Sequence, residues 1–387
     1  MPAGVAGQVA LTSAAVVLAV AAFAALAVVA VPVGWDRGRH PVVRRSTTVL
    51  TATLTVLLAV GVFVNSQAGF FPTLSSVVAQ GSAPLPVGAA GVVADLGRRP
   101  YDLSAAAVRH RAGHGVVVRV ELGGGRSGIS RPGAVYLPDA YFTSTMTRFP
   151  VIEVLSGSPG NPAQMLSQLH LAAAADQAIA AGQMAPTVLV VPDTNGSRLR
   201  DRECADVPGG PQDEVYLSAD VPRAVSQLLR VAAPGPGWAV LGTSTGGFCA
   251  TDLLLRHPER YAAAASLSGY YRALTDVTTG RLYPTAAQRD AHDPLWRLSH
   301  LPRPDRALWV SAGTGEPGEY RQLGELLALP VAPLRVTAVS VPGAGHSFAA
   351  WRAVLPQALA FLSAELPPAL RPTAPVAGQV VRSARAG

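Results

Sequence analysis

The stretch Trp238-Ala239-Val240-Leu241-Gly242-Thr243-Ser244-Thr245-Gly246-Gly247 restricts the possible folds of this chain more than any other. An apolar run that ends in Gly-x-Ser-x-Gly and continues into a helical pattern reads as a buried strand turning sharply into a helix. So tight a turn strains the serine backbone and tolerates little or no side chain at Gly242 and Gly246, which leaves the Ser244 hydroxyl projecting above the sheet. The segments around it alternate in type. Short apolar runs at 150–155, 187–191, 238–242, 262–267, 307–311 and 334–341 read as strands, and 162–181, 219–231, 246–256 and 347–362 as helices. Such alternation predicts a mainly parallel sheet covered by helices on both faces. Before it, 116–122 and 133–137, around the glycines Gly123 to Gly125, read as an antiparallel pair at a sheet edge.

The first 71 residues have a different character. No charged residue occurs from Met1 to Trp35, and 9–33 is an apolar run long enough to span a bilayer. A second run, 48–66, is shorter and contains threonines whose hydroxyls can bond back to the helix. Between them lie Asp36, Arg37 and Arg39, followed by Arg44 and Arg45; a short basic loop of this kind stays on the cytoplasmic side. Two transmembrane helices with the rest of the chain outside is therefore the expected arrangement, a multi-pass cell-membrane protein with an extracytoplasmic domain. The alternative is a cleaved signal peptide built from Arg44, Arg45 and 49–64. Either one exports the remainder. Residues 72–114, rich in Gly, Pro and Ala, read as a linker, 115–365 as one catalytic domain, and 366–387 as a disordered tail.

The formal charge is +7, but all 31 basic residues are arginine and they are scattered. Arginine without lysine, beside abundant Ala, Gly, Val and Pro, reads as the codon bias of a GC-rich genome, so no nucleic-acid partner is expected. The absence of lysine also excludes Schiff-base chemistry.

A serine hydroxyl needs a base within hydrogen-bonding reach to act as a nucleophile. His346, in Pro342-Gly343-Ala344-Gly345-His346-Ser347-Phe348 directly after the last predicted strand, is the candidate. His257 reads as a helix-end residue, and His292 and His300 flank a polar loop. His110 and His114 have a spacing that suits a metal but no acidic or cysteine ligands beside them, so they read as surface histidines and neither metal nor cofactor is expected. The carboxylate that would orient the imidazole is assigned to Glu316, after the penultimate strand, which gives the chain order Ser, acid, His. Glu319 competes with it, and Asp293 and Asp305 are weaker candidates. Two backbone N–H groups must face the tetrahedral oxyanion. Thr245, next to the nucleophile, supplies one in this reading, and Ser158, in the glycine-bearing loop Ser156-Gly157-Ser158-Pro159-Gly160, the other.

With these residues identified, the region from about Val116 to Leu362 resembles the esterase D and mycolyltransferase family of α/β-hydrolases. The resemblance rests on the Ser156-Gly157-Ser158 loop, the Gly242 to Gly247 elbow, Asp293-Pro294-Leu295-Trp296, and His346-Ser347 with Trp351 five residues after the histidine. It implies an α/β-hydrolase fold, acyl-serine chemistry, and oxyanion amides at Ser158 and Thr245. The two membrane helices depart from the pattern, because mycolyltransferases are usually secreted without them.

Cys204 and Cys249 are the only cysteines, and an even pair in an exported domain predicts a disulfide. Closing a loop of that size constrains the unfolded chain by about 4 kcal/mol in the chain-entropy model. The expected function is an extracytoplasmic serine esterase acting on acyl esters or lipids at a membrane. An acyltransferase using the same residues is the alternative, and a non-catalytic hydrolase-like binding domain is a third reading.

Overall fold

The computed structural model describes residues 11, 13–35, 40–68, 93–95, 110–197 and 200–369. Its centre is a sheet of strands β1 (Val93–Asp95), β2 (Val116–Gly123), β3 (Ser130–Leu137), β4 (Val151–Leu155), β5 (Val188–Pro192), β6 (Gly235–Thr243), β7 (Tyr261–Leu267), β8 (Ala307–Gly313) and β9 (Arg335–Val341). The spatial order is β1-β2-β3-β5-β4-β6-β7-β8-β9. Only β3 runs against the other strands, pairing antiparallel with both β2 and β5. The expected antiparallel pair is thus present, and β1 extends it by pairing in parallel with β2.

Burial explains why these segments are strands. β4, β5 and β8 are buried at every residue, as near-continuous apolar runs in a sheet covered on both faces must be. Side chains alternate across the sheet. Trp238 and Val240 join one core with Phe248, Leu253 and Tyr261, whereas Ala239 and Leu241 join the other with Met165, Trp351 and Leu355. Helices Val221–Leu228, Thr245–Arg256, Pro294–His300 and Pro317–Leu327 cover the first face. Pro162–Ser167, Leu171–Ala180 and Phe348–Glu365 cover the second. The chain passes from β4 outward to β5 and then back across β4 to β6, so strand order reverses between β4 and β6. A reversal of this kind opens a crevice at the C-terminal ends of the strands, where open α/β sheets bind their ligands.

Several elements differ in detail from the sequence expectation. The single helix expected at 162–181 is two, because His170 adopts a left-handed conformation (φ 55°) that lets Leu169 and Leu171 both sink into the core. The helix expected at 219–231 begins earlier, at Asp213, passes through a π turn over Tyr216–Asp220 and ends at Leu228. Within the 72–114 segment, Val93–Asp95 is a strand. The remainder of that segment up to residue 109, and the tail beyond residue 369, lie outside the described residues.

At the N-terminus, helices Ala14–Gly34 and Pro41–Ala68 pack on each other and bury the small side chains Ala24 and Ala52. The second starts earlier than expected, so Arg44 and Arg45 belong to its first turns rather than to a loop, with Pro41 at the favoured first position. Its threonines do bond back: Thr53 Oγ1 donates to Val49 O and Thr55 Oγ1 to Thr51 O. Large apolar side chains such as Leu18, Phe23, Leu54 and Leu57 remain exposed. Both helices have the length and apolarity of a membrane span, a test that a signal sequence also passes.

One buried acid in β4 makes stability depend on pH. Glu153 is fully buried and faces Tyr261, whose hydroxyl donates to Oε2 at 2.9 Å. Burial outweighs that hydrogen bond and pushes its carboxyl up to about 8. Between the ordinary value of 4.5 and about 8, the unfolded chain has released a proton that the folded chain still holds. Its contribution to stability is therefore complete below the unfolded value and declines by roughly 1.4 kcal/mol per pH unit as pH rises towards the folded value. Glu153→Gln is expected to flatten the fall in urea-unfolding free energy between pH 5 and pH 8. An unchanged slope would exclude Glu153 as its source.

Candidate active site

Ser244 stands between β6 and the helix Thr245–Arg256 with φ 56° and ψ −124°, a region L-residues rarely occupy. The turn is closed too tightly for side chains at its glycines. A Cβ on Gly242 would lie 1.9 Å from Gly246 O, and one on Gly246 would lie 2.3 Å from Leu155 O. The elbow is also tied to the neighbouring strand, since Ser244 N–H donates to Leu267 O at 2.9 Å.

His346 and Glu316 come from the loops after β9 and β8. These loops are laced together: Gly315 N–H donates to Ala344 O (2.9 Å), and Gly343 N–H to Thr314 Oγ1 (2.8 Å). A Cβ on Gly313 would lie 2.0 Å from Ala344 O, so the glycine permits the approach. The resulting chain of contacts runs from Ser244 Oγ to His346 Nε2 at 2.7 Å and from His346 Nδ1 to Glu316 Oε1 at 2.5 Å. The Trp351 ring lies perpendicular to the imidazole, with 5.1 Å between centroids.

The second Glu316 oxygen accepts from Gly313 N–H (2.7 Å) and from Ser268 Oγ (2.9 Å). Burial pushes this carboxyl up, but hydrogen bonds from His346, Gly313 N–H and Ser268 together outweigh it and hold the group below the ordinary glutamate value. Glu316 therefore stays ionised against the imidazole. The competing acids are elsewhere. Glu319 is in the first turn of Pro317–Leu327, Asp293 caps Pro294–His300 by accepting from Trp296 N–H, and Asp305 pairs with Arg335 at the surface.

Of the proposed oxyanion donors, Thr245 opens the elbow helix, where its N–H has no intrahelical acceptor. Ser158 lies in the wall of a pocket beside Ser244, which Met165, Phe348 and Trp351 also line. Gly157 brings that loop against the nucleophile, since a Cβ there would lie 2.9 Å from Ser244 Cβ. The five other histidines weighed from sequence have other contacts. His257 meets Glu214, His292 meets Asp252, and His300 stacks on Trp296. His114 is exposed and pairs with Asp176. His110, expected at the surface, is half-buried against Phe142 and Asp139, because the short helix Asp139–Thr143 carries both partners to it.

Cys204 and Cys249 are joined by a disulfide, which ties the 200–205 segment to the elbow helix. Sequence reasoning missed several residues around the site. Asp201 Oδ2 accepts from Thr245 Oγ1 at 2.6 Å, and fully buried Glu203 accepts from Tyr270 OH, Tyr283 OH and Leu274 N–H. Nothing in the pattern around Arg202 marks these acids as buried. Ser268 was readable in principle, as a polar residue directly after an apolar strand at the rim that carries Ser244.

The doubly covered parallel sheet, with a serine on a strained turn at its C-terminal rim, defines an α/β-hydrolase. The Esterase family model, described as "Putative esterase", matches residues 126–362, and the chain belongs to that family. An uncharacterized protein of Corynebacterium glutamicum is 30% identical over 230 residues, which cover 58% of this chain and 52% of that protein. The diacylglycerol acyltransferase/mycolyltransferase Ag85B of Mycolicibacterium smegmatis is 27% identical over 125 residues, covering 27% of this chain and 38% of its own length. The chain thus spans about half, or less, of the length of these relatives. Among solved structures, a ferulic acid esterase superposes with a TM-score of 0.55 at 19% identity, covering 65% of this chain and 98% of its own. An S-formylglutathione hydrolase from Agrobacterium tumefaciens gives 0.55 at 16% identity, covering 67% and 98%. At such identities these two speak for the fold.

Proposed function

We propose that this chain is a serine esterase that cleaves acyl esters outside the cytoplasm through an acyl-serine intermediate. The observation that carries the reading is the continuous hydrogen-bonded chain from Ser244 through His346 to Glu316. In the first half-reaction Ser244 Oγ attacks the ester carbonyl while His346 Nε2 accepts its proton. The C–O bond to the alcohol then breaks and the alcohol leaves with that proton. In the second, water attacks the acyl-serine, again giving its proton to His346, which returns it to Ser244 Oγ as the acid departs. Glu316 holds the imidazole in the tautomer that presents a lone pair to Ser244 and stabilises the imidazolium. The N–H groups of Ser158 and Thr245 receive the oxyanion.

The disulfide supports an exported domain. Arg44 and Arg45, at the start of the second apolar helix, support a two-span anchor with the helix connection inside. Transfer of the acyl group to a sugar or lipid hydroxyl is the second reading, favoured by the likeness to the Ag85B mycolyltransferase over part of the chain. A fluorophosphonate probe tests the first reading, with labelling expected in the folded protein and lost in Ser244→Ala. Failure to label would return the domain to a binding role. Product analysis with and without a polyol separates hydrolysis from transfer, an acylated polyol marking the latter.

A further inference from the structure

One stretch of chain after β5 touches both sides of the site. Thr194 Oγ1 accepts from Ser156 N–H at 3.0 Å, two residues before Ser158, with both side chains buried. Asp201 Oδ2 accepts from Thr245 Oγ1 at 2.6 Å, again with both buried. Asp201 is itself anchored, its Oδ1 accepting from Glu203 N–H (3.0 Å) and its N–H donating to Thr278 O (3.1 Å). The next residues are held harder still. Glu203 and Cys204 both have left-handed backbones (φ 45° and 56°), a strain that persists only where the surroundings fix it. Here the donors Tyr270, Tyr283 and Leu274 N–H fix Glu203, and the disulfide to Cys249 fixes Cys204 one helical turn beyond Thr245.

We propose that Thr194 and Asp201 are positioning residues that clamp the two amide-bearing segments of the oxyanion hole against each other. The proposal rests on the esterase reading above and adds a role that the Ser244, His346 and Glu316 relay does not supply. Neither residue touches the reacting atoms. Each restrains a segment whose N–H must point at an oxygen that becomes anionic only during reaction. Hydrogen-bond strength falls steeply with misalignment, so a small drift of either amide weakens transition-state binding while leaving the substrate complex nearly as it was. Acids beside an oxyanion would oppose it if fully charged. Burial raises the Asp201 carboxyl above its ordinary value and pushes Glu203 up to about 8, which weakens the opposition of Glu203.

The test uses the full chain with a p-nitrophenyl ester and the matching thionoester, whose sulfur is a weaker acceptor and depends less on the hole. Asp201→Ala and Thr194→Val are each expected to lower kcat on the oxoester by on the order of 10-fold, less than the roughly 10²–10³-fold for loss of a donor itself. KM should stay within about twofold, and the oxoester to thionoester rate ratio should fall. Asp201→Asn, which keeps one acceptor oxygen for Thr245 but turns an NH2 towards the Glu203 N–H, should recover part of kcat. If Asp201→Ala does not fold, Thr245→Val removes the same hydrogen bond from its other side and is read in the same way. Wild-type kcat in the folded variants, or equal losses on both substrates, overturns the proposal. A wild-type protein that neither turns over ester nor labels at Ser244 removes the esterase reading instead, and the clamp with it.

Discussion

Ser244→Ala is expected to lower kcat for a p-nitrophenyl ester by on the order of 10⁶-fold, and His346→Ala to cost about the same. The serine oxygen lies 2.7 Å from His346 Nε2, so on the proposed mechanism no acyl-enzyme would form without it and no proton would leave it without the imidazole. Because the two act as one unit, the double variant is expected to be scarcely worse than either single one. Alanine keeps the Cβ that already occupies the strained φ of 56°, so the fold should be unaffected. Stopped-flow detection of the p-nitrophenol burst, together with thermal unfolding of each variant, measures both claims. Turnover by folded Ser244→Ala at more than a thousandth of the wild-type rate would remove Ser244 from the mechanism.

The second large effect separates two glutamates three residues apart. Glu316→Gln should cost kcat about 10⁴-fold, the order expected when the group that fixes a catalytic imidazole loses its charge and presents the wrong partner to Nδ1. Glu316 is suited to this because its other oxygen is occupied by Gly313 N–H and Ser268, leaving Oε1 for His346. Its carboxyl lies below the ordinary value, so its pairing with the imidazole stabilises the fold above the unfolded-state value near 4.5 and is lost as pH falls through the folded-state value. Glu319→Gln, by contrast, should leave kcat within about twofold, since this residue lies on the first turn of the next helix. A pH–rate profile of each variant distinguishes them, and a larger loss from Glu319→Gln would reverse the assignment.

Local pattern made much of this molecule readable. The apolar run 238–241 followed by Gly-x-Ser-x-Gly specifies a buried strand, a strained turn and a helix, because each residue there answers to its immediate neighbours: apolar side chains to the sheet, Gly242 and Gly246 to backbone within a few residues or on the adjacent strand. Pro342 to Ser347 is readable for a similar reason, as a glycine-bearing loop after a strand whose histidine can only rise from the rim. The break at His170 and the π turn at Tyr216–Asp220 were not, because both answer to distant packing rather than local propensity.

Sequence alone thus determined the sheet class, the serine turn, the histidine after the final strand and the pair of cysteines, all features that neighbouring residues or composition impose. Which carboxylate meets His346 was decided only in three dimensions, where Gly313 lets the β8 and β9 loops touch and Ser268, from a third strand end, completes the Glu316 shell. The buried acids at 201 and 203 belong to the same category. An isolated Arg-Asp-Arg-Glu-Cys stretch looks like solvated loop, and donors distant in sequence, the hydroxyls of Tyr270, Tyr283 and Thr245 and the Leu274 N–H, make burying its acids tolerable.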